Sequence, residues 1–366
     1  MAIIDSGAPG ALDAGFDDID YDISLKENVQ YDVDGSGAIV KTADTVTYSG
    51  EPHGHEMAQV VGSITNGIAP DANIIHGNIS DSIGSTNRVS LWKGIEWAAN
   101  NNADVVNASF DFNGLSYVYD AGPNPGGYTA GEIEIESIAQ LVMSKDMAIV
   151  HAAGNGFGFT ASDGVYDISG SASAVKTALK SQLLIVGAMN ETMDAVADYS
   201  NVAGSDVDTQ DRFVMAPAAS QTAGGTIYGT SPAAANVSGA IALMKSRWMN
   251  LGGRELTQII LDTADSTFSA YSAEIYGQGI TDLNKAYAPI GSATFKYADG
   301  NAPIQAASFT LPAGFNDVSF QTAFVDSYER DYETSFTMTA NKPTSKFTQQ
   351  VLLAQTTPQK RVVALN

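Results

Sequence analysis

Short, almost continuous apolar runs alternate along the first 290 residues with longer stretches whose apolar positions recur every third or fourth residue. Continuous apolar runs of strand length fit strands buried on both faces, as in a parallel sheet, and the longer period is that of amphipathic helices. The pattern predicts strands over residues 2–5, 74–78, 104–109, 148–152, 183–189 and 213–216. It predicts helices over residues 54–65, 89–101, 131–144, 231–249 and 255–263. Alternating strands and helices of this kind make an α/β fold of three layers, a mostly parallel sheet flanked by helices. Beyond residue 290 the pattern shortens to alternations such as Ser308-Phe309-Thr310-Leu311 and to the run Val351-Leu352-Leu353. An α/β domain over residues 1–290 with a small β-rich extension over 291–366 follows.

On such sheets, chemistry belongs at the carboxyl ends of strands and the amino ends of the helices after them. Three residues sit there. Asp5 closes the first strand and precedes Ser6-Gly7; His53 opens a helix after Pro52; Ser231 lies at a strand-to-helix turn in Gly229-Thr230-Ser231-Pro232. Proline directly after the serine is tolerated because the first helical turn needs no N–H partner there. A serine hydroxyl is a poor nucleophile unless a neighbouring base takes its proton, and an imidazole does so best when a carboxylate fixes its tautomer. This assigns Ser231 as nucleophile, His53 as general base and then acid, and Asp5 as the orienting carboxylate. A developing oxyanion needs donors as well, and the amide of Asn155 in Ala152-Ala153-Gly154-Asn155 is the candidate.

These segments, in the order Asp, His, Ser, resemble the subtilisin-like serine proteases rather than chymotrypsin or the α/β-hydrolases. Ala2-Ile3-Ile4-Asp5-Ser6-Gly7 is similar to the family's aspartate strand, His53-Gly54-His55-Glu56-Met57-Ala58 to its histidine helix, and Ala152-Ala153-Gly154-Asn155 to its oxyanion segment. Trp92 to Ala98 followed by Asp104-Val105-Val106-Asn107-Ala108-Ser109 resembles the helix and strand leading to the substrate cleft, and Gly229-Thr230-Ser231 with Val237-Ser238-Gly239-Ala240 the serine helix. The departures are specific. The family pattern His-Gly-Thr-His-Val-Ala-Gly here has His55, Glu56 and a closing Gln59, and its Met-Ala-Ser-Pro-His after the serine becomes Pro232-Ala233-Ala234-Ala235-Asn236. None removes an atom the chemistry needs. Residues near 323–330 resemble, more weakly, the region after the peptidase in bacterial autotransporter serine proteases.

The resemblance implies an endopeptidase acting on polypeptides through an acyl-enzyme. It implies an extended substrate lying along Asn107, Ala108, Ser109 and Phe110, with Ala152, Ala153, Gly154 and Thr230 completing the substrate-binding set. The small residues leave room for an apolar side chain before the cut, whereas Asp111, where the family usually has glycine, points to a basic one. No cofactor is required; structural calcium occurs in the family. Relatives carry chain upstream of the aspartate strand, commonly a signal and an inhibitory propeptide, so an upstream segment, propeptide partner and secreted or cell-surface location are expected. Two alternatives share these residues: a subtilisin-like binding or structural module with an idle site, and an esterase.

Composition narrows the partners. A net charge of −23 with 18 Lys+Arg disfavours nucleic acid and anionic membranes, and the absence of cysteine excludes disulfides and thiol catalysis. No apolar run is long enough to span a bilayer, and no signal peptide opens the chain. Of the four histidines, His53 and His55 lack the same-face spacing of a zinc helix, and His76 and His151 at strand ends read as structural. The acidic stretches 17–22, 32–37 and 206–211 read as solvated turns, with calcium as the alternative.

Overall fold

A computed structural model describes residues 1–6, 27–29, 31–36, 38–41, 53–80, 86, 88–109, 130–156, 179–297, 300–303 and 318–338. The chain order begins β1 (Ala2–Asp5), β2 (Glu27–Asn28), β3 (Tyr31–Val33), β4 (Ile39–Lys41), α1 (His53–Gly62), β5 (Ile75–Asn78), α2 (Arg88–Asn100), β6 (Val105–Ala108), α3 (Ala130–Lys145) and β7 (Ala148–Ala152). It continues β8 (Leu183–Met189), α4 (Val207–Gln210), β9 (Phe213–Pro217), β10 (Ala219–Thr222), β11 (Gly225–Tyr228), α5 (Thr230–Arg247), α6 (Gly253–Thr263), α7 (Ala273–Tyr276) and α8 (Leu283–Tyr287). Four strands follow: β12 (Thr294–Tyr297), β13 (Gly300–Pro303), β14 (Val318–Val325) and β15 (Asp331–Met338).

Seven strands form one sheet in the order β2-β5-β1-β6-β7-β8-β9, with every neighbouring pair parallel. The alternation of side chains along β1 shows how it is covered. Ala2 and Ile4 join a core with Leu91, Ile95 and Ala98 of α2 and Ile138 and Val142 of α3. Ile3, on the other side, packs with Met57, Ala58 and Val61 of α1 and Ala235 of α5. Two apolar faces, each with its own helices, make the three layers expected from the apolar runs. All six sequence-predicted strands are present, with no end displaced by more than one residue. The short β2 and the hairpins β3–β4 and β10–β11 were not foreseen, because none carries an apolar run.

Helix α5 is sequestered rather than amphipathic: Ala233, Ala234, Ala235, Gly239 and Ala240 are all buried. A Cβ added at Gly239 would come within 2.8 Å of Ile68 Cβ, so small residues are what let this helix lie close to its neighbours. No described helix is long and apolar enough to cross a membrane.

The chain divides into two compact units, Met1–Leu283 and Asn284–Asn366. In the second, four antiparallel strands run in the order β13-β12-β14-β15. Its β14–β15 turn is closed by Asp326 and Arg330, whose side chains are both fully buried. Arg330 Nε and Nη2 donate to Asp326 Oδ2 at 2.9 and 2.7 Å. The guanidinium also donates to the carbonyls of Ala286 and Ala288, and Asp326 Oδ2 accepts from Ile290 N at 3.0 Å. The pair therefore ties residues 286–290 to the hairpin. Breaking a buried pair from one side costs about 3–5 kcal/mol, because the remaining charge is left uncompensated. Arg330→Met should accordingly raise amide hydrogen exchange in residues 318–338 by about a hundredfold or more while β1 and β6 keep their protection. Unchanged exchange in the hairpin would contradict this role for the pair.

Candidate active site

Asp5 ends β1 with its side chain fully buried, and His53, the first residue of α1, reaches it from above with a side chain one-third exposed (33%). Oδ1 of Asp5 accepts from Ser6 N at 2.6 Å and Ser6 Oγ at 3.3 Å, and lies 2.7 Å from His53 Nδ1. A carboxylate only accepts, so the proton in this contact belongs to Nδ1, and Nε2 carries the lone pair whenever the imidazole is neutral. The approach depends on Gly54. Its N–H donates to Ser6 O at 3.1 Å, and a Cβ there would stand 2.3 Å from that same oxygen, 2.7 Å from His76 Nε2 and 2.9 Å from Asp5 Cβ. No side chain fits.

Ser231 is the second residue of α5, preceded by Gly229 at φ 148°, ψ 172°, a backbone shape reserved almost entirely for glycine. Its Oγ donates to Ser109 O at 3.1 Å, and Ser109 Oγ donates back to Ser231 O at 3.1 Å. Ser109 Oγ in turn accepts from Asn107 Nδ2 at 2.8 Å, and Asn107 Oδ1 accepts from Ser238 Oγ at 3.0 Å. This buried chain of polar groups fastens the end of β6 to the first turns of α5. Asn155 is held from the same helix: its Oδ1 accepts from Thr230 N at 3.0 Å and Thr230 Oγ1 at 3.1 Å. Because a backbone N–H must donate to oxygen, the amide orientation is set by chemistry, with Nδ2 turned away from Thr230. Thr230 Oγ1 also accepts from Gly154 N at 3.2 Å, where Gly154 adopts φ 97°.

Direct contacts thus join Asp5 to His53, and the start of the helix that carries Ser231 to Asn155 through Thr230. Three members of the expected substrate-binding set lie inside the fold. Thr230 is fully buried, and its hydroxyl accepts from Gly154 N and donates to Asn155 Oδ1. Asn107 and Ala108 are inside the sheet, paired to Ile3 and Ile4 of β1 and to Val150 and His151 of β7. With neighbours on both sides they have no edge for an added strand, and the chain first leaves the sheet at Ser109. Ala152 ends β7, Ala153 and Gly154 follow it, and all three are buried. Phe110, Asp111 and the residues on to 129, like the acidic stretch 17–22, lie outside the described residues.

The other acidic stretches make turns and caps. Asp34 Oδ1 accepts from Ser36 N, Ser36 Oγ and Ala38 N at 2.8, 2.6 and 3.1 Å, and the Ser36 hydroxyl leads in holding this carboxyl below its usual range. Asp206 caps α4 through Thr209 N at 2.8 Å, while Asp208 and Asp211 face Lys180 at 2.5 and 3.5 Å. Among the described residues, no cluster of three or more His, Asp or Glu is arranged to hold a metal ion.

The sequence model of the subtilase family matches residues 2–279. Subtilisin NAT of Bacillus subtilis subsp. natto is 28% identical over 290 residues, which cover 75% of this chain and 64% of that protein. The subtilisin of Bacillus pumilus is 28% identical over 290 residues, 75% of this chain and 88% of its own length. The chain thus spans under two thirds of the first relative's length. Among solved structures, the patellamide maturation protease PatA is 23% identical with a TM-score of 0.51, covering 78% of this chain and 94% of its own. The epidermin leader peptide processing serine protease of Staphylococcus aureus is 18% identical with a TM-score of 0.53, covering 78% and 74%. At these identities the structural likeness is one of fold.

His151, on β7, is 2% exposed, and neither ring nitrogen has a hydrogen-bond partner among the described residues. Burial lowers its pKa from 6.5 to about 4. The folded protein therefore keeps it neutral while the unfolded chain protonates it near 6.5. Stability from this group is complete above pH 6.5 and falls as pH drops towards 4, by about 3 kcal/mol over the window. Urea unfolding of the parent and of His151→Phe, at pH 7 and pH 4.5, should show a smaller acid-induced loss in the variant by about 2 kcal/mol. Equal losses in both would contradict a buried neutral histidine.

Proposed function

The chain belongs to the subtilase family, and on that premise we propose that it is a serine endopeptidase, with Ser231, His53, Asp5 and Asn155 in the roles their chemistry suits. Ser231 Oγ attacks the carbonyl carbon of the substrate while His53 Nε2 takes its proton, and Asp5 holds the resulting imidazolium through Nδ1–H. The tetrahedral oxygen accepts from Asn155 Nδ2 and from the Ser231 N–H at the start of α5, where the helix dipole also favours negative charge. His53 then gives its proton to the leaving amine as the C–N bond breaks. Water, deprotonated by the same imidazole, attacks the acyl-enzyme, releases the acid and restores the Ser231 hydroxyl. The Ser231 hydroxyl at rest points to Ser109 O, so attack begins with rotation of this proton towards His53, a tightening common when substrate binds.

The observation that carries this reading is the 2.7 Å contact between a fully buried carboxylate and the histidine that opens α1. A polypeptide is the proposed substrate, held in extended form from Ser109 onward, with a medium or large apolar side chain before the cut. An extracellular location and an upstream inhibitory segment are part of the same proposal, as is the α/β peptidase over 1–290 followed by a β-rich extension over 291–366. Calcium, where the family uses it, would be structural, and no step above involves it.

Reaction with a fluorophosphonate probe tests the chemistry directly. The label should map to Ser231 and be lost in Ser231→Ala and His53→Ala, and Asn155→Leu should lower peptide turnover by about a hundredfold to a thousandfold, the range known from subtilisin itself. A peptide library should be cut after apolar residues; cuts confined to Arg or Lys would turn the specificity reading towards Asp111. A folded parent that takes no label would favour the idle module, and ester hydrolysis without peptide cleavage would favour the esterase.

A further inference from the structure

Gln59 and Asn236 stand where the family pattern has glycine and histidine, and both side chains end on one hairpin. Gln59 lies on α1, six residues beyond His53, and is fully buried. Its Oε1 accepts from Ala223 N at 3.1 Å, and Ala223 begins the turn between β10 and β11. Asn236 lies on α5, five residues beyond Ser231. Its Nδ2 donates to Pro217 O at 3.2 Å and to Ser220 Oγ at 3.0 Å, at the start of the same hairpin. The hairpin is thus tied at its tip to the helix that His53 opens and at its base to the helix that carries Ser231 in its first turn.

The hairpin needs such ties. It consists of four residue pairs, from Ala219 opposite Tyr228 to Thr222 opposite Gly225, and a two-stranded ribbon of this size is marginal by itself. Most of β11 is exposed; Ile227 alone packs partly against the cluster of Ile3, Met57, Val61 and Ala235. Yet β11 runs into Gly229 and then Ser231 with no loop between, so a shift of the hairpin is passed to the serine. Its Cβ-free entry at Gly229 has no side chain of its own to resist that shift.

We propose that Gln59 and Asn236 are positioning residues for Ser231, fixing hairpin β10–β11 between the two helices and with it the setting of the serine against His53. Their effect on rate rests on the serine-peptidase reading; the clamp on the hairpin does not. Reacting groups displaced by a fraction of an ångström lose rate steeply, while binding of an extended peptide at Ser109 is untouched by either residue.

Gln59→Met keeps volume and removes the acceptor; Asn236→Asp keeps shape and removes the donor. In each, kcat for a peptide and the rate of fluorophosphonate labelling should fall about tenfold while KM stays within about twofold. Amide hydrogen exchange should rise over residues 219–231 and stay unchanged over residues 253–263 of α6. Unchanged exchange over 219–231 in both variants would overturn the clamp. Raised exchange with parental kcat and labelling rate would show that the clamp exists but does not position the serine, which also overturns the proposal. A parent that neither labels nor cleaves would count against the serine-peptidase reading alone. In that case exchange decides the proposal: raised protection loss extending to residues 229–231 supports it, and loss confined to 219–228 contradicts it.

Discussion

The arrangement at this site depends on one close approach, that of the first turn of α1 to the end of β1. Gly54 N–H donates to Ser6 O at 3.1 Å, with no room for a Cβ between the two backbones. This contact stations His53 over Asp5. It also gives Asp5 its environment, because a fully buried carboxylate must have donors in place of water. Ser6 N, Ser6 Oγ and His53 Nδ1 converge on Oδ1, and Oδ2 has no partner among the described residues. The geometry is therefore one-sided: a single oxygen binds both the local turn and the imidazole, and the histidine is held by the same atom that closes the strand.

The serine side is built by a different device. Among the described residues no charged group holds Ser231; neutral hydrogen bonds and small residues do. Ala233 to Ala235 and Gly239 let α5 lie close to its neighbours, and the Ser109–Asn107–Ser238 chain pins its first turns to β6. Thr230 bridges Gly154 and Asn155, so the proposed nucleophile and the proposed oxyanion donor are set by adjacent residues of one helix start. Buried polar chains of this sort rigidify when every member is satisfied. The packing of Ala235 against Met57, Ala58 and Val61 then relates this half of the site to the histidine helix.

Much of this was legible in the sequence, and the exceptions have physical causes. Strands such as Leu183–Met189, buried at every position, announce themselves because both faces must be apolar. Asp5, His53 and Ser231 were legible as residues because few side chains suit their chemistry and each stands at a strand end or helix start. The hairpin β10–β11 was hidden, since Ala219-Ser220-Gln221-Thr222 and Gly225-Thr226-Ile227-Tyr228 carry no apolar alternation and are held by Gln59 and Asn236 from distant segments. Thr230 reads as part of the cleft because it stands beside Ser231, and the fold adds that its hydroxyl is turned to Gly154 and Asn155. Asn107 likewise reads as cleft backbone until its strand neighbours on both sides are known.

The most direct measurement is the proton resonance of His53 Nδ1–H, strongly deshielded when shared with a carboxylate. It should be present in the parent, absent in Asp5→Ala, and lost or moved far upfield in a folded Gly54→Ala, whose added methyl must push α1 away from β1. An unchanged resonance in Gly54→Ala would contradict the claim that this backbone approach is what brings the histidine to Asp5.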